Sequence, residues 1–269
     1  MRYFLGICVF VLSMISPLAA ETPIPSLTVI LTAERVKAAK LEPLAPILAV
    51  SHRGTAVVAE PNNLFLVNSR KFLFDASTPV SDCAFTPDGA LLVVSGRKLG
   101  YCAGGRFHPQ IDLPENAMRL AVGQNRIYVY GGDNDRATSI YVIDPQRGHA
   151  KLCDAPSAIG AAAAVGGALY FSVANDIFQV APDGDVNLIC RLPGPPVTSI
   201  TPAGEDTLYF LAGRALYAWQ IGNVAIFGEN LGDVTRWHDG KLYVLDVQKQ
   251  SLVRLESLPT RVDAPPETP

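Results

Sequence analysis

Seven polar residues recur near the starts of short apolar runs along this chain: Asp82, Asn116, Arg119, Ser157, Thr198, Asp233 and Arg236. Carboxylate and amide oxygens suit a hard divalent cation. Two arginines suit something else, because a pair of guanidinium forks can grip a carboxylate. Four histidines invite a different reading. His52 and His238 fall in equivalent turns, but a shared metal would need a third ligand and none is evident, so solvated turn histidines are expected. His108 and His149 belong to outer strands, far from those starts. The segment "GGDNDRATS" (131–139) resembles the beginning of a calcium loop without its later bidentate glutamate, and a solvated loop is expected there. The chain shows no Ser-His-Asp spacing, Gly-rich phosphate loop or haem-attachment "CxxCH".

What must position these residues is a repeat. Four-residue apolar runs begin at Leu64, Leu99, Ile140, Ile177, Leu216 and Leu252, spaced 35, 41, 37, 39 and 36 residues apart. A second series precedes it: Val57-Val58, Leu91-Leu92, Ile127-Tyr128, Leu169-Tyr170, Leu208-Tyr209 and Leu242-Tyr243. Turns such as "TPDG", "VGG" and "HDG" come before each, with Gly, Asn and Asp supplying the positive φ of a hairpin loop. A period of this length carrying strands and no helix predicts a β-propeller, one four-stranded blade per repeat. Six repeats predict six blades.

One blade can be read in full, with Val80 to Phe85 innermost, then Ala90 to Ser95, Leu99 to Cys102, and Arg106 to Leu113 outermost. The column Val50, Phe85, Val122, Ala164, Thr201 and Trp237 ends the inner strands and is assigned to packing between blades. The sixth unit lacks an outer strand, and an uncovered edge invites pairing. The N-terminal segment is therefore expected to complete the last blade, by 26–34 or by 35–43. On this topology the loops at inner-strand starts share one face with the turns between second and third strands. That face gathers Arg97, Arg136 and Arg214 at its rim and Asp82, Arg119, Asp233 and Arg236 nearer the axis.

Composition bounds the remainder. The chain has 269 residues, 49% hydrophobic and 17% charged, with a formal charge of -3. Without clustered Lys and Arg, nucleic acid is excluded as an expected partner. "MRYFLGICVFVLSMISPLAA" reads as a signal peptide (1–20), which predicts a periplasmic or secreted protein with no integral membrane segment after cleavage. The propeller spans 21–259, and the Pro-rich tail 260–269 is expected to be disordered. Cys83, Cys102, Cys153 and Cys190 remain in the mature chain. Export argues for a disulfide. Geometry argues against one within a blade, since residues across an intervening strand lie about 9 to 10 Å apart against a limit of roughly 7 Å. Four free thiols is the preferred reading.

"ALYFSVANDIFQVAPDGDVNLI", "RIYVYGGDNDRATSIYVID" and "FTPDGALLVVSG" resemble the phrasing of six-bladed propellers of the NHL-repeat, SMP-30/gluconolactonase-like and TolB-like group, over about residues 44 to 256. WD40 and kelch hallmarks are absent. Likeness to the sugar-lactone hydrolases would imply a divalent metal at the channel mouth on Glu, Asn and Asp ligands. The residues here, with two arginines and no clear glutamate, do not carry that set over. The leading expectation is an exported, non-catalytic, monomeric propeller that binds a protein or peptide partner through one loop face, with no cofactor and no catalytic residue. A metal-dependent hydrolase or lyase and a carrier or sensor of a small acidic ligand stand as alternatives.

Overall fold

A computed structural model describes residues 26–258 apart from 70, 76–77, 115–116, 132–137, 145, 205, 221 and 257. The leader, the tail from 259, Asn116, Arg136 and most of the 131–139 loop lie outside the described residues. Within them, six four-stranded antiparallel sheets form a ring. The inner strands are Leu48–Val50, Val80–Phe85, Arg119–Val122, Ile159–Val165, Val197–Pro202 and Val234–His238, each against the next and the last against the first. The chain is a six-bladed β-propeller.

Each blade follows from its turns. Between second and third strands, "Gly213-Arg214" has φ of 54° and 72°, a two-residue hairpin with both central residues left-handed. Such turns match the twist of the flanking strands and fix the register, here Ala212 opposite Ala215. Blade two matches the sequence reading closely, with strands Val80–Phe85, Leu91–Ser95, Lys98–Ala103 and Arg106–Asp112.

Ser26–Leu31 closes the ring by pairing antiparallel with Ser251–Glu256, Ser26 opposite Glu256 and Leu31 opposite Leu252. The rival segment is not a strand. Ala33–Ala38 forms a short helix capped by Thr32, whose side chain accepts from the Arg35 N–H at 3.2 Å. Ala, Glu, Arg and Lys favour helix, and a threonine at the cap satisfies one of its free N–H groups. Its one buried side chain, Val36, joins Leu31, Leu44, Leu245 and Leu252 in the core between blades six and one.

The exposed large aliphatics Leu27, Val29, Leu188 and Ile226 sit on outermost strands, where blades splay apart. Cys83 is buried, the other three cysteines are half-buried, and all four are free thiols. Among the described residues no helix is long and apolar enough to cross a membrane.

The column at the inner-strand ends needs a correction. Val50, Phe85, Val122, Ala164 and Trp237 are only partly buried, and with Thr201 they line a cavity at one mouth of the axial channel. An inner strand has no further layer of protein inside it, so its last side chains border the channel as well as the neighbouring blade.

Candidate functional site

At the other mouth, where inner strands begin, a cavity of about 360 Å³ is lined by Asp82, Arg119, Tyr130, Gly160, Thr198, Ser199, Asp233 and Arg236. Its walls are built by a recurring device. The inner strand of a blade has one edge facing the channel without a strand partner, so its N–H groups need acceptors. Side chains from the preceding blade supply them. Tyr130 Oη of blade three accepts from Ala162 N at 3.0 Å, Ser199 Oγ of blade five from Thr235 N at 3.0 Å, and Thr201 Oγ1 from Trp237 N at 3.2 Å.

Asp82 is the charged version of this device. A bulge in its strand, between Val80 and Asp82, re-aims the side chain. One carboxylate oxygen accepts from Cys83 N and the other from Leu120 N of the next blade, both at 2.9 Å. Both oxygens accepting is the arrangement of an ionised carboxylate. Burial pushes its pKa above the ordinary range, opposed by Arg236, then Arg119, then the two N–H groups. Burial likewise pushes the Tyr130 hydroxyl up to about 12, so it remains a neutral hydroxyl.

Asp233 is engaged elsewhere. Its oxygens accept from Arg214 Nη1 at 2.9 Å and from Val247 N at 2.8 Å. Arg214 Nη2 donates to Asp246 Oδ2 at 2.6 Å, and Lys249 Nζ lies 3.2 Å from the same oxygen. Arg214, on a turn of blade five, thus clamps two carboxylates of blade six in a group whose charges cancel. Its backbone at φ 72° is unfavourable for any residue with a Cβ, and costs about 1 kcal/mol or more.

Arg214→Ala removes the fork from beside an Asp246 side chain that is only 3% exposed. A loss of about 3 kcal/mol is expected, on the order of 6 to 12 °C in Tm. Arg214→Gly, which relieves the backbone, should recover about 1 kcal/mol of it. Burial pushes Asp246 upward, but the Lys249 N–H and Arg214 outweigh it and leave it below the ordinary range. A depressed carboxylate gives stability that is complete above its unfolded pKa of about 3.9 and lost as pH falls through the folded value. The gap between wild type and Arg214→Ala in thermal melts should therefore be full at pH 7 and shrink below about pH 4. A gap unchanged at pH 3 would rule out the ion pairs as its source.

Two sequence-identified residues stay uncommitted. The Arg119 side chain makes no hydrogen bond or ion pair with another described residue, and the Arg236 side chain donates only to Thr235 O, at 2.8 Å. Both are partly exposed in the cavity beside Asp82. Two guanidinium groups face one carboxylate, which leaves the mouth one unit positive. Arg97 is exposed on the rim, in its own hairpin turn after Gly96. His52 and His238 do not converge, since the His52 ring lies against Gly89 and the His238 ring against Gly54.

The described donor set favours an anion over a divalent cation. Each Asp82 and Asp233 oxygen already accepts one hydrogen bond, Arg119 and Arg236 are cationic, and no cluster of three or more His, Cys, Asp or Glu occurs among the described residues. Sequence reasoning missed Tyr130, Ser199, Thr201 and Thr235. The signal for two of them was present, because "Val-Ser-Asp" (80–82), "Val-Thr-Ser" (197–199) and "Val-Thr" (234–235) repeat a polar residue just inside the inner strand.

Neither the protein-family models nor the curated proteins yield a match. Solved structures do. The gluconolactonase XC5397 from Xanthomonas campestris, important in glucose secondary metabolic pathways, superposes with a TM-score of 0.63 at 14% identity, over 78% of this chain and 84% of that one. A candidate gluconolactonase superposes at 0.66 and 12% identity, over 87% and 93%. U3-55K gives 0.57 at 12%, over 78% and 80%. At these identities the likeness is one of fold, the propeller, with gluconolactonase-like propellers among its neighbours.

Proposed function

We propose that this propeller is a non-catalytic binding module, directed to the periplasm by its N-terminal leader, that takes a carboxylate-bearing segment of a protein or peptide partner at the mouth holding Arg119 and Arg236. The observation that carries this reading is that two guanidinium groups, neither in an ion pair with a described residue within 4 Å, share a cavity with Asp82, whose two oxygens each accept a backbone N–H. An incoming carboxylate balances the excess charge and accepts from both forks, and charge-assisted hydrogen bonds of this kind are roughly twice as strong as neutral ones. The same chemistry would serve a small acidic ligand, so partner size is settled by experiment.

The test uses the mature protein as bait in its native cell envelope, beside the double variant Arg119→Gln/Arg236→Gln. The expected result is a stable protein partner recovered by wild type and reduced at least tenfold by the variant, the two compared at a temperature where circular dichroism shows both folded, because the variant leaves the buried Asp82 without its counter-charges and melts lower. Equal recovery by both would overturn the reading. The fold neighbours make a metal-dependent hydrolase the competing view. A stoichiometric divalent ion in the purified protein, lost on replacing Asp82 or Asp233, would favour it over ours.

A further inference from the structure

The opposite end of the channel carries a separate feature. There Val50, Phe85, Val122, Thr201, Pro202 and Trp237 line a cavity of about 150 Å³. Its side chains are apolar except for Thr201 and Arg236, and its wall also presents polar atoms. Of the inner-strand N–H groups here, those of Leu120, Ala162 and Trp237 are occupied by side chains of the preceding blade. Trp237 is held in place by stacking on Tyr209, with ring centroids 5.4 Å apart and planes at 25°.

Arg236 lines this cavity as well as the larger one. It is the charged residue common to the linings of both cavities, and in this one it accompanies Phe85 and Trp237. We propose that this mouth is a second binding site, for a small aryl carboxylate whose ring packs between Phe85 and Trp237 and whose carboxylate meets Arg236. A neutral ring would leave the excess positive charge unanswered. A bare carboxylate would forgo the apolar burial that a ring supplies. Only a ligand with both parts uses the whole site. Because Arg236 serves both mouths and the channel has one unit of excess charge, occupancy here competes with binding of a carboxylate at the loop face.

Phenylacetate is the probe, and Trp237 emission the readout. Trp219→Phe isolates that signal, and the indole Nε1 of Trp219 is buried without a partner, so the substitution forfeits no hydrogen bond. Phenylacetate is expected to change the emission saturably, while benzyl alcohol and acetate bind at least tenfold more weakly. Arg236→Gln and Phe85→Ala should each weaken phenylacetate at least tenfold. Arg126→Gln, a surface charge at the same end that donates to Pro182 O, should not change it beyond about twofold. Titration calorimetry on otherwise unmodified protein repeats the comparison without Trp219→Phe. Absence of saturable binding up to tens of millimolar, equal binding of benzyl alcohol, or indifference to Arg236→Gln would each overturn the proposal. None of these results depends on whether a protein partner exists.

Discussion

Asp82→Ala should lower the melting temperature by about 10 °C or more. The carboxylate is 5% exposed and holds the Leu120 N–H of the next blade, so its removal strands two backbone donors and leaves two arginines facing no counter-charge. Breaking a buried charged arrangement by removing one partner costs about 3–5 kcal/mol, and a chain of this size loses roughly 2–4 °C per kcal/mol. Asp82→Asn should recover only part of this, because its amide nitrogen would face an N–H donor and the charge is gone. Formate carries the missing charge and fits the vacated space. It should restore more of the loss than chloride at matched ionic strength, by binding the native state. Differential scanning calorimetry reads all four conditions. If Asp82→Ala melts within about 2 °C of wild type, the carboxylate is no strut between blades, and a role in holding a cation returns.

That strut shows what a sequence hides. Asp82 and Leu120 are 38 residues apart, and nothing local says that one answers the other's N–H. The pairing exists because ring closure sets the start of one inner strand beside the next. Blade boundaries were legible for the opposite reason. Hairpin turns and alternating apolar runs are local, so the strands of blade two could be read to within a residue or two. The column from Val50 to Trp237 lies between these cases. Its spacing was plain, but its place on the channel wall depends on which strand is innermost and on what lies beyond it. Arg214 was legible as a rim charge. That it would sit at positive φ and spend its fork on Asp233 and Asp246 was not, because both carboxylates come from another blade. The helix Ala33–Ala38 was obscured by an echo, "AKL" in 39–41 matching a blade phrase at 150–152, although Thr32 and the Ala-Glu-Arg composition carry a helix start.

Removal of residues 26–32 should be as damaging as any single change to the blades. Ser26–Leu31 is the outer strand of blade six, and without it Ser251–Glu256 becomes an unprotected edge. Such an edge is a template for pairing with another chain. Leu31, 4% exposed, also leaves the core it shares with Leu245 and Leu252. Removing a buried leucine side chain alone costs about 2–5 kcal/mol, and the strand's lost pairing adds to it, against a total stability of about 5–15 kcal/mol. The truncated chain is therefore expected to lose its cooperative melt near the wild-type temperature and to elute as aggregate in size-exclusion chromatography. Leu31→Ala, which keeps the strand pairing, should melt lower by roughly 4–20 °C yet elute as wild type does. The two variants separate edge protection from core packing. Should the truncated chain elute and melt as wild type does, the ring is closed without its first strand, and the joint between blades six and one rests on the helix Ala33–Ala38 and on the hydrogen bond from Leu44 N to Gln250 Oε1.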